Sequence, residues 1–196
     1  QYSENLTYDG LYCAPEWGSG RTCAGFADFV QMSGCKGRIR ILNSYFEGAH
    51  DDPINVHGTH LKVVGHMSER QVKVRFMHGQ SYGFEAFFKG DEVEFVDAHS
   101  LRCLQPAKIK AVERIDDYEI LRTLDRAVSD DVKAAADVSV ENITWTPEVE
   151  IRRNYFARIP TRGILVTTRR KVLIEENVFY RLPMSAVLVS DDARSW

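Results

Sequence analysis

The chain has 196 residues, 44% of them hydrophobic and 27% charged, an ordinary balance for a soluble globular protein long enough to bury a core. Twenty-five Lys and Arg against 28 Asp and Glu leave a formal charge of −3, so no basic excess argues for nucleic acid or an anionic membrane, and a neutral partner is expected. No run approaches the roughly 18 apolar residues of a membrane span, and the opening "QYSENLTYDG" lacks the charged and apolar regions of a signal peptide.

The chain does not begin with Met, which reads as processing or as excision from something longer. Cys13, Cys23, Cys35 and Cys103 show no CxxC spacing; buried thiols are expected, with a disulfide open in a secreted setting. Asn5 in "NLT" and Asn142 in "NIT" match the glycosylation tripeptide, a pattern too short to carry weight.

In chain order, "IRILNSYFEGAHDDPINV" (39–56), "VEIRRNYFARIPTRGILV" (149–166) and "VLIEENVFYRLPMSAVLV" (172–189) share one pattern. The second and third are offset by 23 residues, with identities at Asn154/Asn177, Phe156/Phe179, Arg158/Arg181, Pro160/Pro183, Leu165/Leu188 and Val166/Val189. The first matches the second at an offset of 110, which sets Ile39 against Val149, Ile41 against Ile151, Tyr45 against Tyr155, Phe46 against Phe156, Ile54 against Ile164 and Val56 against Val166. Inside each unit the apolar residues alternate, the period of short strands with one face buried, and no helical stripe appears. Strand, turn, strand, turn at this spacing is what one coil of a parallel β-helix requires, with equivalent positions stacked about 4.8 Å apart. Asn154 and Asn177 then fall at a corner, where side-chain amides can hydrogen-bond along the axis.

An offset of 110 is not a multiple of 23, and removing one coil leaves 87 residues, which reads as an insertion. Its content agrees: "RQVKVRFMHG" and "KGDEVEFVDAHSLRCLQPAKIKAVERI" are longer alternating strands broken by turn-forming Gly, Asp and Pro. The expected fold is all-β, a parallel β-helix with an inserted small antiparallel β-barrel: coils over 1–60, barrel over 61–137, coils again over 138–196. "LRTLDRAVSDDVKAAADV" (121–138) is the only helix-compatible stretch and is expected to help return the chain to the coils.

Within this template Asp51 and Asp52 stand where Thr161 and Arg162 stand in the later coil, in the turn before the Ile54/Val56 strand, with side chains projecting outward. Asp28 lies 23 residues before Asp51 and 24 before Asp52, so a third carboxylate stacks beneath the pair. Three such acids repel, so one is expected to have a raised pKa while another stays ionised. Glycoside hydrolysis needs that division, and a carboxylate separation of roughly 6.5–9.5 Å implies inversion of the anomeric centre. Taken alone, Asp-Asp-Pro is more often a turn; the stacked Asp28 is what favours a site. His50, His57 and His60 raise a metal reading through His57-x-x-His60, but no Cys or carboxylate spacing completes it, so no metal is expected and a His lining a cleft or bonded at the surface is the simpler reading.

The stretch "GFADFVQMSGCKGRIRILNSYFEGAHDDPINVHGTH", with the barrel insertion and the later coils, resembles glycoside hydrolase family 110 over essentially the whole chain. These are α-1,3-galactosidases that remove terminal galactose from blood-group-B-type and linear α-galactosyl glycans. The resemblance implies a right-handed β-helix, an inverting mechanism, no catalytic cofactor, an α-galactoside glycan as partner, and a secreted, periplasmic or cell-surface bacterial location. It implies Asp51 in "AHDDP" as general acid, with Asp28 in "GFADF" and Asp52 in "AHDDP" holding and activating the water. Family members are considerably longer, so the chain reads as an internal fragment.

Around these acids, Trp17 in "EWGSGRTC" is suited to stack on an apolar sugar face and Arg21 or Glu16 to bond hydroxyls, against the simpler reading of a loop packed on the coil edge. Asn55 and His57 follow the dyad and are expected to point toward the same groove, Asn55 being equally plausible as a stabilising amide. Arg158, Arg162, Arg169 and Arg170 read as a solvated face. Two other functions remain: a non-catalytic carbohydrate-binding β-helix, and a β-helix pectinase, whose Gly-His-Gly and Arg-Ile-Lys signatures are not found here.

Overall fold

Short strands rich in Val, Ile, Phe and Tyr, separated by corners that include left-handed backbone, set the architecture in a computed structural model that describes residues 1–194. The chain divides into two compact units, Gln1–His57 with Thr146–Ser190, and Gly58–Trp145 with residues 191–194.

In the first unit the chain makes successive circuits, each placing one strand in each of three parallel four-stranded sheets. The first circuit supplies β1 (Thr7–Asp9), β2 (Tyr12–Cys13) and β3 (Val30–Ser33), and the second β4 (Arg38–Leu42), β5 (Tyr45–Glu47) and β6 (Ile54–His57). The six strands of the second unit intervene: β7 (His60–Ser68), β8 (Gln71–Arg75), β9 (Glu92–Asp97), β10 (Cys103–Arg114), β11 (Glu119–Leu124) and β12 (Val138–Asn142). The third circuit is β13 (Glu148–Arg152), β14 (Tyr155–Ala157) and β15 (Ile164–Val166), and the fourth β16 (Val172–Glu175), β17 (Val178–Tyr180) and β18 (Val187–Val189).

The offset of 110 is the register between the second and third circuits in all three sheets: Ile41 pairs with Ile151, Phe46 with Phe156 and Ile54 with Ile164. The offset of 23 is the register between the third and fourth, as in Phe156 with Phe179. The first circuit departs from it, because Tyr12 pairs with Tyr45 but Val30 with Ile54, so nine extra residues lie between β2 and β3.

At one corner of every circuit sits a residue with positive φ, Gly10, Asn43, Arg153 or Glu176. Such a conformation is costly for a non-glycine residue and needs local support. The support comes from the next residue: the Ser44 N–H donates to Asn154 Oδ1 at 2.9 Å and the Asn154 N–H to Asn177 Oδ1 at 2.9 Å, while the Leu11 N–H donates to Ser44 Oγ at 3.0 Å. Behind the corners Phe46, Phe156 and Phe179 stack with centroids 5.4 and 4.9 Å apart, inside a core that includes Ile39, Ile41, Ile54, Val149, Ile151 and Ile164.

The second unit is a closed barrel in the order β10-β11-β8-β7-β12-β9, antiparallel at every pairing. Alternate residues fill it, among them Val72, Val74, Val93, Phe95, Ile109, Ile120, Leu124 and Val140. Arg122 takes an inward position too, its guanidinium over the Phe87 ring at 4.4 Å.

Three expectations are corrected. The barrel does not end at residue 137, because β12 is its sixth strand and 138–145 belong to the barrel unit. Residues 121–138 are not a helix: Leu121, Arg122, Thr123 and Leu124 complete β11, and only Asp130–Ala134 is helical, capped by Ser129. Alternation along the barrel wall outweighs helix propensity there. The cysteines are all free, and only Cys35 is buried; Cys13 and Cys23 are half-buried and Cys103 is exposed.

Candidate functional site: a carboxylate column gripped by Arg162

Register builds the site. Because Val30 pairs with Ile54 and Ile54 with Ile164, the residues two positions earlier, Asp28, Asp52 and Arg162, form one column across three circuits. Asp28 is thus level with Asp52 rather than with Asp51.

Asp52 is 1% exposed, not outward-facing as the turn position suggested. A carboxylate buried to that degree needs a partner, and Arg162 supplies it at two points: Nε donates to Oδ1 at 2.8 Å and Nη2 to Oδ2 at 2.7 Å, with the Arg162 N–H adding 3.3 Å to Oδ1. Arg162 is therefore no solvated arginine; the neighbouring carboxylates, Asp52 first, push its already high pKa further up. Asp51 remains open to solvent, its side chain 54% exposed. Its Oδ1 accepts the Asp52 N–H at 3.0 Å, with Arg162 Nη2 at 3.8 Å.

Asp28 is half-buried, and Asn55 on β6 donates Nδ2 to its Oδ2 at 3.1 Å. Burial pushes the Asp28 carboxyl up to about 6; the Asn55 bond opposes this, the charges of Asp51 and Asp52 add to it, and Arg162 lowers it. The three acids thus differ in setting: Asp51 is exposed, Asp28 half-buried with its carboxyl raised, and Asp52 buried in an ion pair.

Asn55 itself is 6% exposed, and its Oδ1 is buried without a partner. His57, at the end of β6, is also buried. Neither side chain is open to solvent, and Asn55 is turned onto Asp28. His50 is exposed, its ring 6.3 Å from the exposed Phe26 ring. His60 starts β7 in the barrel unit, with Nδ1 3.3 Å from Ser139 Oγ. Among the described residues no group of three or more His, Cys, Asp or Glu is placed to hold a metal ion.

The loop "EWGSGRTC" stands out from the circuits instead of packing on their edge: Trp17 is 100% exposed, and Glu16 and Arg21 are exposed. Its far end is tied beside the acidic turn, where Ala24 donates to the Gly48 carbonyl at 2.8 Å and His50 to the Gly25 carbonyl at 2.9 Å. Gly48 is required there, with φ +69° and the Thr22 carbonyl 2.8 Å from where a Cβ would lie. Arg158 is exposed but pairs with the buried Glu47, while Arg169 and Arg170 are exposed. Arg162 was the residue missed, although the offset of 110 had already set it opposite Asp52 with the complementary charge. Among the described residues no helix is long and apolar enough to cross a membrane.

A family described as "GLAA-B beta-barrel domain II" matches residues 71–138, the barrel from β8 to the start of β12. Over 196 residues, all of this chain, it is 57% identical to Alpha-1,3-galactosidase A of Bacteroides thetaiotaomicron, covering 34% of that protein. Along its whole length the chain is similar to proteins named alpha-1,3-galactosidase. It is also 46% identical over 205 residues to Alpha-1,3-galactosidase A of Streptomyces avermitilis, covering 33% of it, and 36% identical over 204 residues to Alpha-1,3-galactosidase B of Phocaeicola vulgatus, covering 34%. The chain spans about a third of the length of these alpha-1,3-galactosidases, and the matched span includes the residues of the carboxylate column as well as those of the barrel.

Proposed function

We propose that the chain carries the catalytic carboxylates of an inverting glycoside hydrolase that removes terminal α-1,3-linked galactose from glycans such as blood-group-B-type or linear α-galactosyl structures. The names of its relatives support the reaction class. The observation that carries the assignment to residues is the contrast in one column between the half-buried Asp28, raised to about 6, and Asp52, held in the Arg162 ion pair.

In this reading turnover starts from the form in which Asp51 carries a proton and Asp28 does not, and Asp51 gives that proton to the glycosidic oxygen as the bond to the anomeric carbon breaks. Asp28 takes a proton from the water that attacks that carbon from the opposite face. A carboxylate with a pKa near 6 is a stronger base than an ordinary one, yet still mostly ionised at neutral pH. Asp52 was expected to share the water; its burial and the occupation of both its oxygens leave the proton to Asp28, with Asp52 as the fixed charge behind it. The product is β-galactose, and solvent returns one proton to Asp51 and removes one from Asp28.

The same proposal reads the circuits as coils of a right-handed parallel β-helix with the barrel inserted between the second and third. The matched registers support it. It also places the protein at a bacterial surface, in the periplasm or outside the cell, where glycan substrates are met.

The test is to incubate the full gene product with an α-1,3-galactosyl glycan and follow the first-formed sugar by NMR. Release of β-galactose is expected. First-formed α-galactose would remove the inverting assignment, binding without release would leave a carbohydrate-binding protein, and release of galacturonate from a pectin would mark a pectinase.

A further inference from the structure

The carboxylate turn is not self-supporting. Asp51 and Asp52 lie in a short connection between β5 and β6, Asp51 accepts from the very next N–H, and among the described residues no hydrogen bond from the second circuit reaches the Asp52 carboxylate. What fixes it comes from the third circuit, 110 residues later: the side chain of Arg162 on both oxygens and its backbone N–H on one of them. Arg162 is anchored by its neighbours, because Gly163 donates to the Ser185 carbonyl at 3.2 Å and Ile164 to the Ala186 carbonyl at 3.0 Å. A Cβ on Gly163 would lie 2.7 Å from the Ala186 carbonyl oxygen and from two atoms of the Phe179 ring, so the third circuit is pressed against the fourth beside the arginine.

We propose that Arg162 is a positioning residue of the catalytic site: reaching across from the neighbouring circuit, it clamps Asp52 and thereby holds the turn that presents Asp51 beside Asp28. This rests on the hydrolase reading given above. A bidentate guanidinium–carboxylate pair fixes orientation as well as distance, which a lysine ammonium cannot do. The clamp also sets the charge of the cluster. Asp28 faces Asp51 and Asp52 from the turn before β6, Asn55 from β6 and Arg162 from the turn before β15, and Arg162 is the one cation among them. Without it two uncompensated carboxylates would raise the Asp28 pKa further.

Two variants separate the parts of this role. Arg162→Met removes charge and grip; Arg162→Lys keeps the charge and loses the fork. In the full gene product, Arg162→Met is expected to lower kcat about 100-fold with KM changed little, the size of loss that misplacing a catalytic group produces. The acid limb of its pH profile should move to higher pH. Arg162→Lys should return that limb toward the wild-type position while kcat stays about tenfold down. Where Arg162→Met fails to fold, the lysine variant carries the test through its lowered kcat at unchanged KM.

Asp28 is also titrated by 13C NMR on the carboxyl carbon, which needs no turnover. A titration that moves upward in Arg162→Met supports the charge role; one that stays put, with an unmoved acid limb and kcat within threefold of wild type, overturns the proposal. A wild-type protein that releases no galactose sinks the hydrolase reading instead, and the NMR result then still decides whether Arg162 governs the cluster.

Discussion

Asn55 reaches from β6 to hold Asp28 in the preceding circuit, Nδ2 to Oδ2 at 3.1 Å, and it is the one uncharged group that steadies a carboxyl otherwise raised by burial and by two neighbouring acids. If Asp28 acts as base, its proton must leave before turnover, so kcat/KM should fall about tenfold per unit as pH drops below about 6. Asn55→Leu removes the bond that favours the charged form and should shift this limb upward, which a pH–rate profile on the two proteins would show.

The same carboxyl makes a prediction about stability. The folded state holds the Asp28 proton more tightly than the unfolded state, so the fold loses stability as pH rises from the ordinary carboxylate range through about 6. Asp28→Asn should therefore abolish galactose release yet raise Tm by a few degrees at pH 8, with the gain vanishing near pH 4. A thermal melt at the two pH values checks it, and an unchanged or lower Tm at pH 8 would count against a destabilising charge at this position.

Asp51 is the exposed acid of the three, so its replacement should leave the fold alone. Asp51→Asn is expected to reduce release from natural glycans by about 10²–10⁴-fold, the usual worth of general acid catalysis. An aryl α-galactoside with a good leaving group needs less protonation and should lose far less. Equal losses on both substrates would deny Asp51 the acid role.

Asn154 is buried and joins three circuits, accepting from the Ser44 N–H and donating to Asn177 Oδ1 at 3.0 Å and to the Ile41 carbonyl at 3.0 Å. Asn154→Ala leaves the buried Ser44 N–H without its acceptor and takes one of two donors from Asn177 Oδ1, at a cost of about 1–3 kcal/mol. Urea unfolding measures it directly.

Trp17, fully exposed on its loop, supports nothing in the fold. Trp17→Ala should leave Tm unchanged. If the indole stacks on the sugar, KM should rise several-fold at constant kcat, the signature of binding shared by ground and transition states.

Much of this was legible because the repeat is written in large or chemically distinctive residues. Phe46, Phe156 and Phe179 mark one stack and Asn154 and Asn177 one corner, so their offsets could be read before any contact was known. The barrel was legible from its longer alternating strands. What escaped was burial in the turns: Asp52 looked solvent-bound because turns usually are, and only its pairing with Arg162 makes a buried position tolerable. The level of Asp28 was off by one residue because a circuit with an extra loop need not keep the period of the others. Asn55 offered nothing to separate a groove-facing amide from one turned onto a neighbouring carboxylate.

The pairing of β7 with β12 bears on the order in which the chain is expected to assemble. His60 stands opposite Glu141 and Lys62 opposite Ser139, and the Asn142 N–H donates to the Thr59 carbonyl at 3.1 Å, so the two ends of the barrel segment are fastened together as the barrel closes. The third and fourth circuits, adjoining in the chain, can find each other early. The second is expected to join later, because closing a chain loop of that length carries an entropic penalty until the barrel shortens it to a clip. The Asp52–Arg162 pair is thus expected to form late, after a separate structure has folded on the chain between its two halves.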